Sequence, residues 1–366
     1  MNKMSILIAI MIIGMELFFW IRARRKNKTP YPMFKKVLLV LFNIIVLGIL
    51  MLPAILFPNQ IDIVPSGDHV IQTTLVTWED KNRLETFTND GSNRQVSVKF
   101  WYPVEDGNYP LIVFSHGAFG IMDNNASTCQ ELASHGYVVA SIGHPYHSLF
   151  LKDANNKITF VDQNFMNDVY ADNGATDAES EKRIYEKSQK WMELRSADEN
   201  FVLEQIISMT SSPEQAPFDR ITTDKIGLFG HSLGGATSVE VARMRADIDA
   251  VIVLEGTMLG EYTGFENGTE TFDPTPFPVP VLDVYSRDIY EKARLYGDSY
   301  VNFYLGSKAN DYQYKIFENA GHLNFTDLPL FSPVLAKKLG VGSVDPKECI
   351  EQMNQMVLEY FNLYLK

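Results

Sequence analysis

The chain of 366 residues is 46% hydrophobic and 12% aromatic, and it carries a net charge of −13. This composition excludes an intrinsically disordered chain, because disorder requires few apolar and aromatic residues. The charge is uneven, since residues 1–57 carry +7 and the remainder therefore carries −20. An acidic domain of this kind is poorly suited by charge to nucleic acid, so we expect no nucleic-acid partner.

Two apolar blocks open the chain, at residues 4–21 and 37–57. Each has roughly the 20 residues that a helix needs to cross a bilayer. The segment between them contains no acid and seven basic residues, which are Arg22, Arg24, Arg25, Lys26, Lys28, Lys35 and Lys36. A short basic loop stays in the cytoplasm. We therefore predict a transmembrane helical hairpin over residues 1–57 of a multi-pass cell-membrane protein, with the following domain facing outside.

The alternative interpretation of these blocks is a cleaved signal peptide followed by a buried helix. A signal peptide carries its positive charge before the apolar run, and only Lys3 stands there. The hairpin is therefore preferred, with residues 58–69 as a linker to a folded domain over residues 70–366.

Short apolar runs separated by helical stretches follow the linker. Residues 70–88 alternate like a leading pair of strands, and residues 95–102 predict a further strand. The later runs lie at residues 111–115, 137–142, 225–229, 250–254, 279–285 and 313–317. They lack alternation, as expected of parallel strands that helices cover on both faces. The pattern predicts one mostly parallel, doubly wound α/β domain.

One stretch interrupts this alternation of strands and helices. Residues 146–194 contain no evident core strand and are rich in polar and charged side chains, while residues 178–207 have helical periodicity. We predict that an insertion at residues 147–195 forms a cap over a site. A solvated surface excursion is the open alternative.

The sharpest motif is G-H-S-L-G at residues 230–234, between the strand at 225–229 and an amphipathic helix over 236–245. A sharp strand-to-helix turn presents a serine hydroxyl for attack, and only small residues fit two positions before and after it. Ser232 is therefore the predicted nucleophile. The Leu233 N–H, at the start of the helix, is a predicted oxyanion donor.

A second oxyanion donor is expected from the loop that follows an earlier central strand. The F-S-H-G-A segment at residues 114–118 follows the apolar run L-I-V-F. Its glycine allows the chain to turn back, so that the N–H of Ala118 points at a carbonyl oxygen. We expect His116 to orient this loop rather than to act as a base.

Seven histidines compete for the role of general base. His322 lies after the last predicted strand, which suits the chain order serine, acid, histidine. His144 and His147 follow an earlier strand, and we expect them to line the pocket or to form hydrogen bonds. His322 is therefore the predicted base.

The acid has three candidates. Glu255 and Asp288 each follow the end of a strand, where a carboxylate can orient an imidazole. Asp283 lies inside a strand, as a buried structural residue would. The residue pattern alone leaves these candidates open.

The segments F-S-H-G, L-A-S-H-G-Y, G-H-S-L-G-G-A-T, V-I-V-L-E-G and H-x-N-F-T-D, over residues 90–330, resemble the plasma-type platelet-activating-factor acetylhydrolase family. These are serine esterases of the α/β-hydrolase fold. The resemblance implies Glu255 as the acid, although the family normally has Asp there, with His322 as the base and Ala118 and Leu233 as oxyanion donors. It makes residues 70–366 an α/β-hydrolase catalytic domain and implies short-acyl or phospholipid ester substrates.

The expected activity is carboxylic ester hydrolysis through an acyl-enzyme on a Ser-His-Glu triad. Alternatives are a thioesterase, lactone hydrolase or peptidase on the same triad, since the fold does not set the substrate. A catalytically inactive, membrane-tethered binding module is an alternative of another class. No cofactor or metal is expected, because no Cys/His cluster has metal-ligand spacing. Cys129 and Cys349 are expected to be buried free thiols rather than a disulfide.

Overall fold

A computed structural model describes residues 14, 33–58, 61–171, 178–213, 215–266 and 268–366 of the chain. The helices within these residues are α1 (Met33–Leu56), α2 (Ala126–Ser134), α3 (Gln163–Ala171), α4 (Ala178–Thr210), α5 (Leu233–Met244), α6 (Arg287–Tyr296), α7 (Val301–Lys308), α8 (Leu328–Phe331), α9 (Pro333–Leu339) and α10 (Pro346–Leu365). The strands are β1 (Ile71–Leu84), β2 (Asn93–Pro103), β3 (Tyr109–Ser115), β4 (Val138–Gly143), β5 (Phe150–Lys152), β6 (Ile158–Phe160), β7 (Ile221–His231), β8 (Ala250–Leu254), β9 (Tyr262–Glu266), β10 (Thr269–Phe272), β11 (Val281–Ser286) and β12 (Tyr312–Phe317). Two compact units result, one of Met1–Asp62 with Leu328–Val341 and one of Ile63–Asp327 with Gly342–Lys366.

The smaller unit contains α1, α8 and α9. The Ser332 hydroxyl donates to the Leu56 carbonyl, and the Ile61 N–H donates to the Leu330 carbonyl at 3.1 Å. These bonds join residues 328–341 to the end of α1. The sequence did not predict that residues 328–341 belong to the same unit as α1, because this arrangement depends on contacts between segments more than 250 residues apart.

The transmembrane hairpin predicted over residues 1–57 is not found. Its first apolar block, residues 4–21, lies outside the described residues except for Gly14. The second block forms α1. Among the helices that the structure describes, none combines the length and the apolarity needed to cross a bilayer.

The larger unit is built on a sheet of eight described strands in the order β1-β2-β4-β3-β7-β8-β11-β12. β2 pairs antiparallel with β1 on one side and with β4 on the other. The remaining neighbours in this order, from β4 to β12, pair parallel. Every residue of β4, β8 and β11 is buried, which explains why the corresponding sequence runs lack alternation. The predicted α/β domain with a mostly parallel sheet is confirmed.

The leading pair of strands predicted over residues 70–88 is wrong. This segment forms the single strand β1, which pairs antiparallel with β2. No turn-forming glycine or proline interrupts residues 71–84, whereas Gly91 in the connection to β2 adopts a φ of +73°. The chain therefore reverses once, after β1.

The predicted insertion at residues 147–195 contains the β5–β6 hairpin, α3 and the first half of α4. The helix expected over residues 178–207 is confirmed as α4, which continues to Thr210. Phe165 of α3 and Met192 of α4 pack with Leu233 and Ala236 of α5. The insertion therefore packs on the helix that follows the G-H-S-L-G turn.

Both cysteines are buried and unpaired, as predicted. Cys129 lies in α2 and Cys349 in α10. Burial raises the pKa of the Cys129 thiol well above its ordinary value and raises the pKa of Cys349 to about 12. Both side chains are therefore protonated thiols at neutral pH.

A buried ion-pair network ties α4 to the antiparallel edge of the sheet. Arg94 of β2 donates to both carboxylate oxygens of Asp198 in α4, at 2.7 and 2.8 Å, and also to Glu85 at 3.1 Å. Arg83 donates to Asp198 at 2.9 Å. Burial alone would raise the pKa of Asp198, but the Arg94 charge and its hydrogen bonds hold it well below the ordinary value. The network fixes the position of α4 on the sheet.

The Arg94→Met variant leaves the carboxylates of Asp198 and Glu85 buried without their main partner. We expect the free energy of unfolding to fall by about 3 kcal/mol, since breaking a buried ion pair leaves an uncompensated charge. Urea unfolding measures this loss. Arg294→Met is the control, because Arg294 forms an exposed pair with Glu291 and its loss should change stability little. Equal effects of the two variants would contradict the role of the network.

Candidate active site

The turn between β7 and α5 places Ser232 in a strained conformation. Its φ of +53° and ψ of −123° lie in a region that residues with a side chain rarely adopt. A Cβ atom on Gly230 would lie 2.3 Å from the carbonyl carbon of Gly234. The Ser232 N–H donates to the Leu254 carbonyl of β8 at 2.9 Å. The glycines therefore allow a turn whose serine is fixed to the end of the neighbouring strand.

The loop after β3 lies directly against this turn. A Cβ on Gly234 would lie 1.9 Å from the Ser115 carbonyl oxygen, and a Cβ on Gly117 would lie 3.1 Å from the Cβ of Ser232. Backbone thus packs on backbone with no room for a side chain. This contact brings the loop that contains Ala118 to the serine.

The two predicted oxyanion donors lie together. Ala118 and Leu233 belong to one apolar cluster, which also includes Phe119. The N–H groups of Phe119 and Gly120 donate to backbone carbonyls. The preceding N–H, that of Ala118, has no backbone acceptor among the described residues. Leu233 is the first residue of α5, so its N–H has no acceptor within the helix. Two amide donors are therefore available beside Ser232.

Glu255 lies at the end of β8 and is hydrogen-bonded to His322. The distance between Glu255 Oε2 and His322 Nδ1 is 2.8 Å. The other carboxylate oxygen, Oε1, accepts the N–H of Ser286 at the end of β11, at 2.6 Å. The Glu255 side chain is only 3% exposed, and its φ is +50°. Both oxygens are thus engaged, and the carboxylate is held at the carboxyl end of the sheet.

The other two candidate acids have different partners. Asp283 is fully buried and accepts hydrogen bonds from Tyr312 and Asn302, both at 2.9 Å, and from Tyr285. Burial raises the pKa of Asp283 to about 7. Asp288 lies in the first turn of α6. The carboxylate bonded to the His322 imidazole is therefore that of Glu255.

His322 begins a short 3-10 turn after β12, and this turn is held from two sides. His231 Nε2 donates to the His322 carbonyl at 3.0 Å, with the two rings 4.5 Å apart. Burial and the nearby charge of His322 keep the pKa of His231 well below its ordinary value. The Asn324 side chain accepts the Gly321 N–H at 2.9 Å. Sequence reasoning missed this role of His231, although its place directly before Ser232 was a signal.

The three histidines near the loop after β3 are buried. His144 Nε2 lies 3.0 Å from Ser115 Oγ, and His116 Nε2 lies 2.8 Å from Ser148 Oγ. The ring of His147 stacks on that of Phe165, with centroids 3.7 Å apart. Burial is the main cause that lowers the pKa of all three imidazoles, and the charge of Arg195 is the second. The pKa of His144 falls to about 4. They are therefore neutral at physiological pH, and their contacts are with Ser115, Ser148 and Phe165.

Within the part of the chain that the structure describes, no group of three or more His, Cys, Asp or Glu side chains is arranged to hold a metal ion. The site consists of a serine on a strained turn, two free amides and a carboxylate–imidazole pair. Such groups can generate an alkoxide-like nucleophile and stabilise an oxyanion.

Two curated relatives are platelet-activating factor acetylhydrolases. That of Cavia porcellus is 23% identical over 280 residues, which cover 74% of this chain and 61% of the relative. That of Gallus gallus is 24% identical over 282 residues, which cover 70% and 62%. The chain thus spans about three-fifths of the length of these relatives.

Among solved structures, a ferulic acid esterase from Streptomyces cinnamoneus matches with a TM-score of 0.60 and 19% identity, over 82% of this chain and 92% of that one. This likeness establishes an α/β-hydrolase-like fold. The family model described as platelet-activating factor acetylhydrolase, isoform II, matches residues 93–366. The resemblance seen in the sequence motifs is thereby confirmed, and the chain belongs to the platelet-activating factor acetylhydrolase, isoform II, family.

Proposed function

We propose that the protein is a serine hydrolase that cleaves carboxylic esters through an acyl-enzyme on Ser232. The observation that supports this most directly is the position of Glu255, whose carboxylate binds both the imidazole of His322 and the Ser286 amide. A carboxylate in this position holds the imidazole in the tautomer that leaves Nε2 free to accept a proton. The pair lies beside the strained turn that carries Ser232.

The reaction follows from the roles of these groups. His322 takes the proton of the Ser232 hydroxyl as Oγ attacks the ester carbonyl carbon. The oxyanion that forms accepts hydrogen bonds from the amides of Ala118 and Leu233. Collapse of this intermediate expels the alcohol, which receives its proton from His322, and leaves an ester on Ser232.

Water then completes the cycle. The His322 side chain is 41% exposed, so solvent can reach the imidazole that must activate a water molecule. That water attacks the acyl-enzyme, and the acid product leaves as the proton returns to Ser232. Glu255 stabilises the imidazolium at both attacks.

The proposed substrates are short-acyl or oxidised phospholipid esters. The names of the curated relatives support this choice, since they describe acetylhydrolases of a platelet-activating factor. An apolar cluster that includes Phe119, Trp191 and Leu259 adjoins both proposed oxyanion donors and offers an apolar wall to an acyl chain. Activity on a series of p-nitrophenyl esters of increasing chain length, beside oxidised and intact phospholipids and matched thioesters, lactones and peptides, tests this assignment.

Ser232→Ala should abolish labelling by a fluorophosphonate probe and lower kcat on a short-chain p-nitrophenyl ester by roughly 10⁴-fold or more, because triad members act as a unit. Ser307→Ala is the control, since its hydroxyl binds a helix carbonyl in the exposed part of α7. More than a tenth of wild-type turnover in Ser232→Ala would exclude this nucleophile. A wild-type protein that neither labels nor turns over would favour the inactive binding module.

Glu255→Gln should lower kcat by at least about 10² at neutral pH, because an NH₂ group replaces one of two acceptors that are both in use. Glu255→Asp should lie between this variant and the wild type, since a side chain shorter by one methylene does not reach both partners. Asp288→Asn is the matched control and should remain within roughly tenfold of wild type. The opposite order, with Asp288→Asn the damaging change, would assign the acid to the segment that follows β11.

We further propose that residues 1–57 attach the protein to a membrane, with the catalytic domain on the side opposite the basic segment. The absence of acids among residues 22–36 supports this orientation. The apolar surface of α1 supports the attachment, because side chains such as Phe34, Phe42 and Ile45 are more than half exposed. An exposed apolar surface of this kind marks a site of contact with a membrane or another apolar partner.

Protease added to intact cells should therefore degrade a tag placed after Lys366. Replacing Arg22, Arg24 and Arg25 with serine should reduce this sensitivity, because the positive charge sets the orientation. A control that replaces three exposed lysines of the catalytic domain should not. A tag that is cut only after the membrane is opened would reverse the proposed orientation, and recovery of the protein in the soluble fraction would refute the attachment.

A further inference from the structure

Arg195 of α4 is a fully buried cation whose partners include two consecutive backbone carbonyls of the loop after β3. Its Nη1 donates to the His116 carbonyl at 2.5 Å, and its Nη2 donates to the Gly117 carbonyl at 3.3 Å. The guanidinium fork thus spans two successive peptide groups. The second of these peptide groups is the one that contains the Ala118 N–H.

The geometry of the peptide bond carries this contact to the oxyanion site. The Gly117 carbonyl and the Ala118 N–H belong to one planar trans peptide, so they point in opposite directions. A donor that holds the carbonyl from behind therefore fixes the direction of the N–H in front. Arg195 contacts the face of the loop opposite to the Ala118 N–H.

The contact also has an electrostatic consequence. Burial lowers the pKa of Arg195 to about 9, with Asp198 and Glu199 opposing the shift, so the guanidinium remains charged at neutral pH. The Gly117 carbonyl also accepts the N–H of Gly120 at 3.0 Å and the Nδ1–H of His116 at 2.7 Å. Donors that converge on a carbonyl in a low-dielectric interior polarise its peptide group and strengthen its N–H as a donor.

The helix that presents Arg195 is itself fixed. Asp198 lies three residues further along α4, and Arg94 of β2 holds both of its carboxylate oxygens. The guanidinium is therefore supported by a helix that an ion pair anchors to the sheet. A rigid support of this kind is what a preorganised oxyanion site requires.

We propose that Arg195 is a positioning residue for the oxyanion site, which orients and polarises the peptide that carries the Ala118 N–H. This inference rests on the proposed ester hydrolysis and assigns Arg195 no contact with the substrate. Its effect belongs to the transition state, because the oxyanion forms only after Ser232 has attacked. Loss of Arg195 should consequently lower kcat while KM changes little.

The test compares Arg195→Met and Arg195→Lys with the wild type in the full-length protein. Arg220→Met is the matched control, since Arg220 also donates to two consecutive carbonyls, those of Pro103 and Val104, away from the site. Three quantities are measured, which are Tm, the kinetic constants for a short-chain p-nitrophenyl ester and the inhibition constant of a trifluoromethyl ketone. The serine adds to this ketone to give a hemiketal oxyanion, so its affinity reports the oxyanion site.

Arg195→Met should lower kcat by roughly 10- to 100-fold, less than the 10²- to 10³-fold cost of deleting a donor, because the N–H is misdirected and not removed. KM should remain within about threefold, and the ketone should bind more weakly by a factor similar to that of kcat. Arg195→Lys should be intermediate, since an ammonium group does not reproduce the two-carbonyl fork. Arg220→Met should lower Tm without altering kcat or ketone binding.

Three results would overturn the inference. The first is unchanged kcat and ketone affinity in Arg195→Met or, if that variant does not fold, in Arg195→Lys. The second is a fall in kcat and ketone affinity in Arg220→Met that equals the fall in Arg195→Met when the two variants have the same Tm. The third is a wild-type protein that neither hydrolyses the ester nor binds the ketone. This result would refute the proposed function as well. The wild-type measurements alone distinguish it from the first two results.

Discussion

The close approach of two backbone segments is the constraint on which the rest of the site depends. Gly234 lies against the carbonyl of Ser115 with no room for a side chain between them. Because β3 and β7 are neighbours in the sheet, this contact sets the separation of the turn that bears Ser232 and the loop that bears Ala118. A shift of either segment would separate Ser232 from the Ala118 N–H, and the proposed reaction needs both groups at the same carbonyl.

The ends of β8 and β11 explain why the acid was ambiguous in the sequence. These strands run parallel, with Leu254 beside Val284, so residues that follow either strand reach the same region. Glu255 begins on β8 and extends to the Ser286 amide at the end of β11. A glutamate suits this position, because its additional methylene lets a carboxylate from one strand bind an amide of the next. The chain order of the motif is therefore compatible with an acid after either strand.

The sequence was informative where the pattern is local. Apolar runs without alternation predicted the buried parallel strands, and the spacing of glycines around Ser232 predicted the turn. The family motifs selected Glu255, which the structure places at His322. The sequence was not informative where a role depends on distant partners. The contact of Arg195 with the loop after β3 joins residues 79 positions apart, and no periodicity or motif marks it. The joining of residues 328–341 to α1 escaped prediction for the same reason.

The burial of both thiols makes them reporters of conformational opening. The thiolate is the nucleophile that reacts with thiol reagents, and the raised pKa values of Cys129 and Cys349 keep that form scarce while the fold is intact. A reagent can therefore consume these side chains only as fast as the surrounding structure opens. Cys129 lies in α2, whose first turn binds Asp327 just after the His322 turn, and Cys349 lies in the C-terminal helix. The Cys349 thiol itself donates to the carbonyl of Asn324 in the His322 turn at 3.8 Å, so both cysteines report opening of the structure around this turn without any label being added.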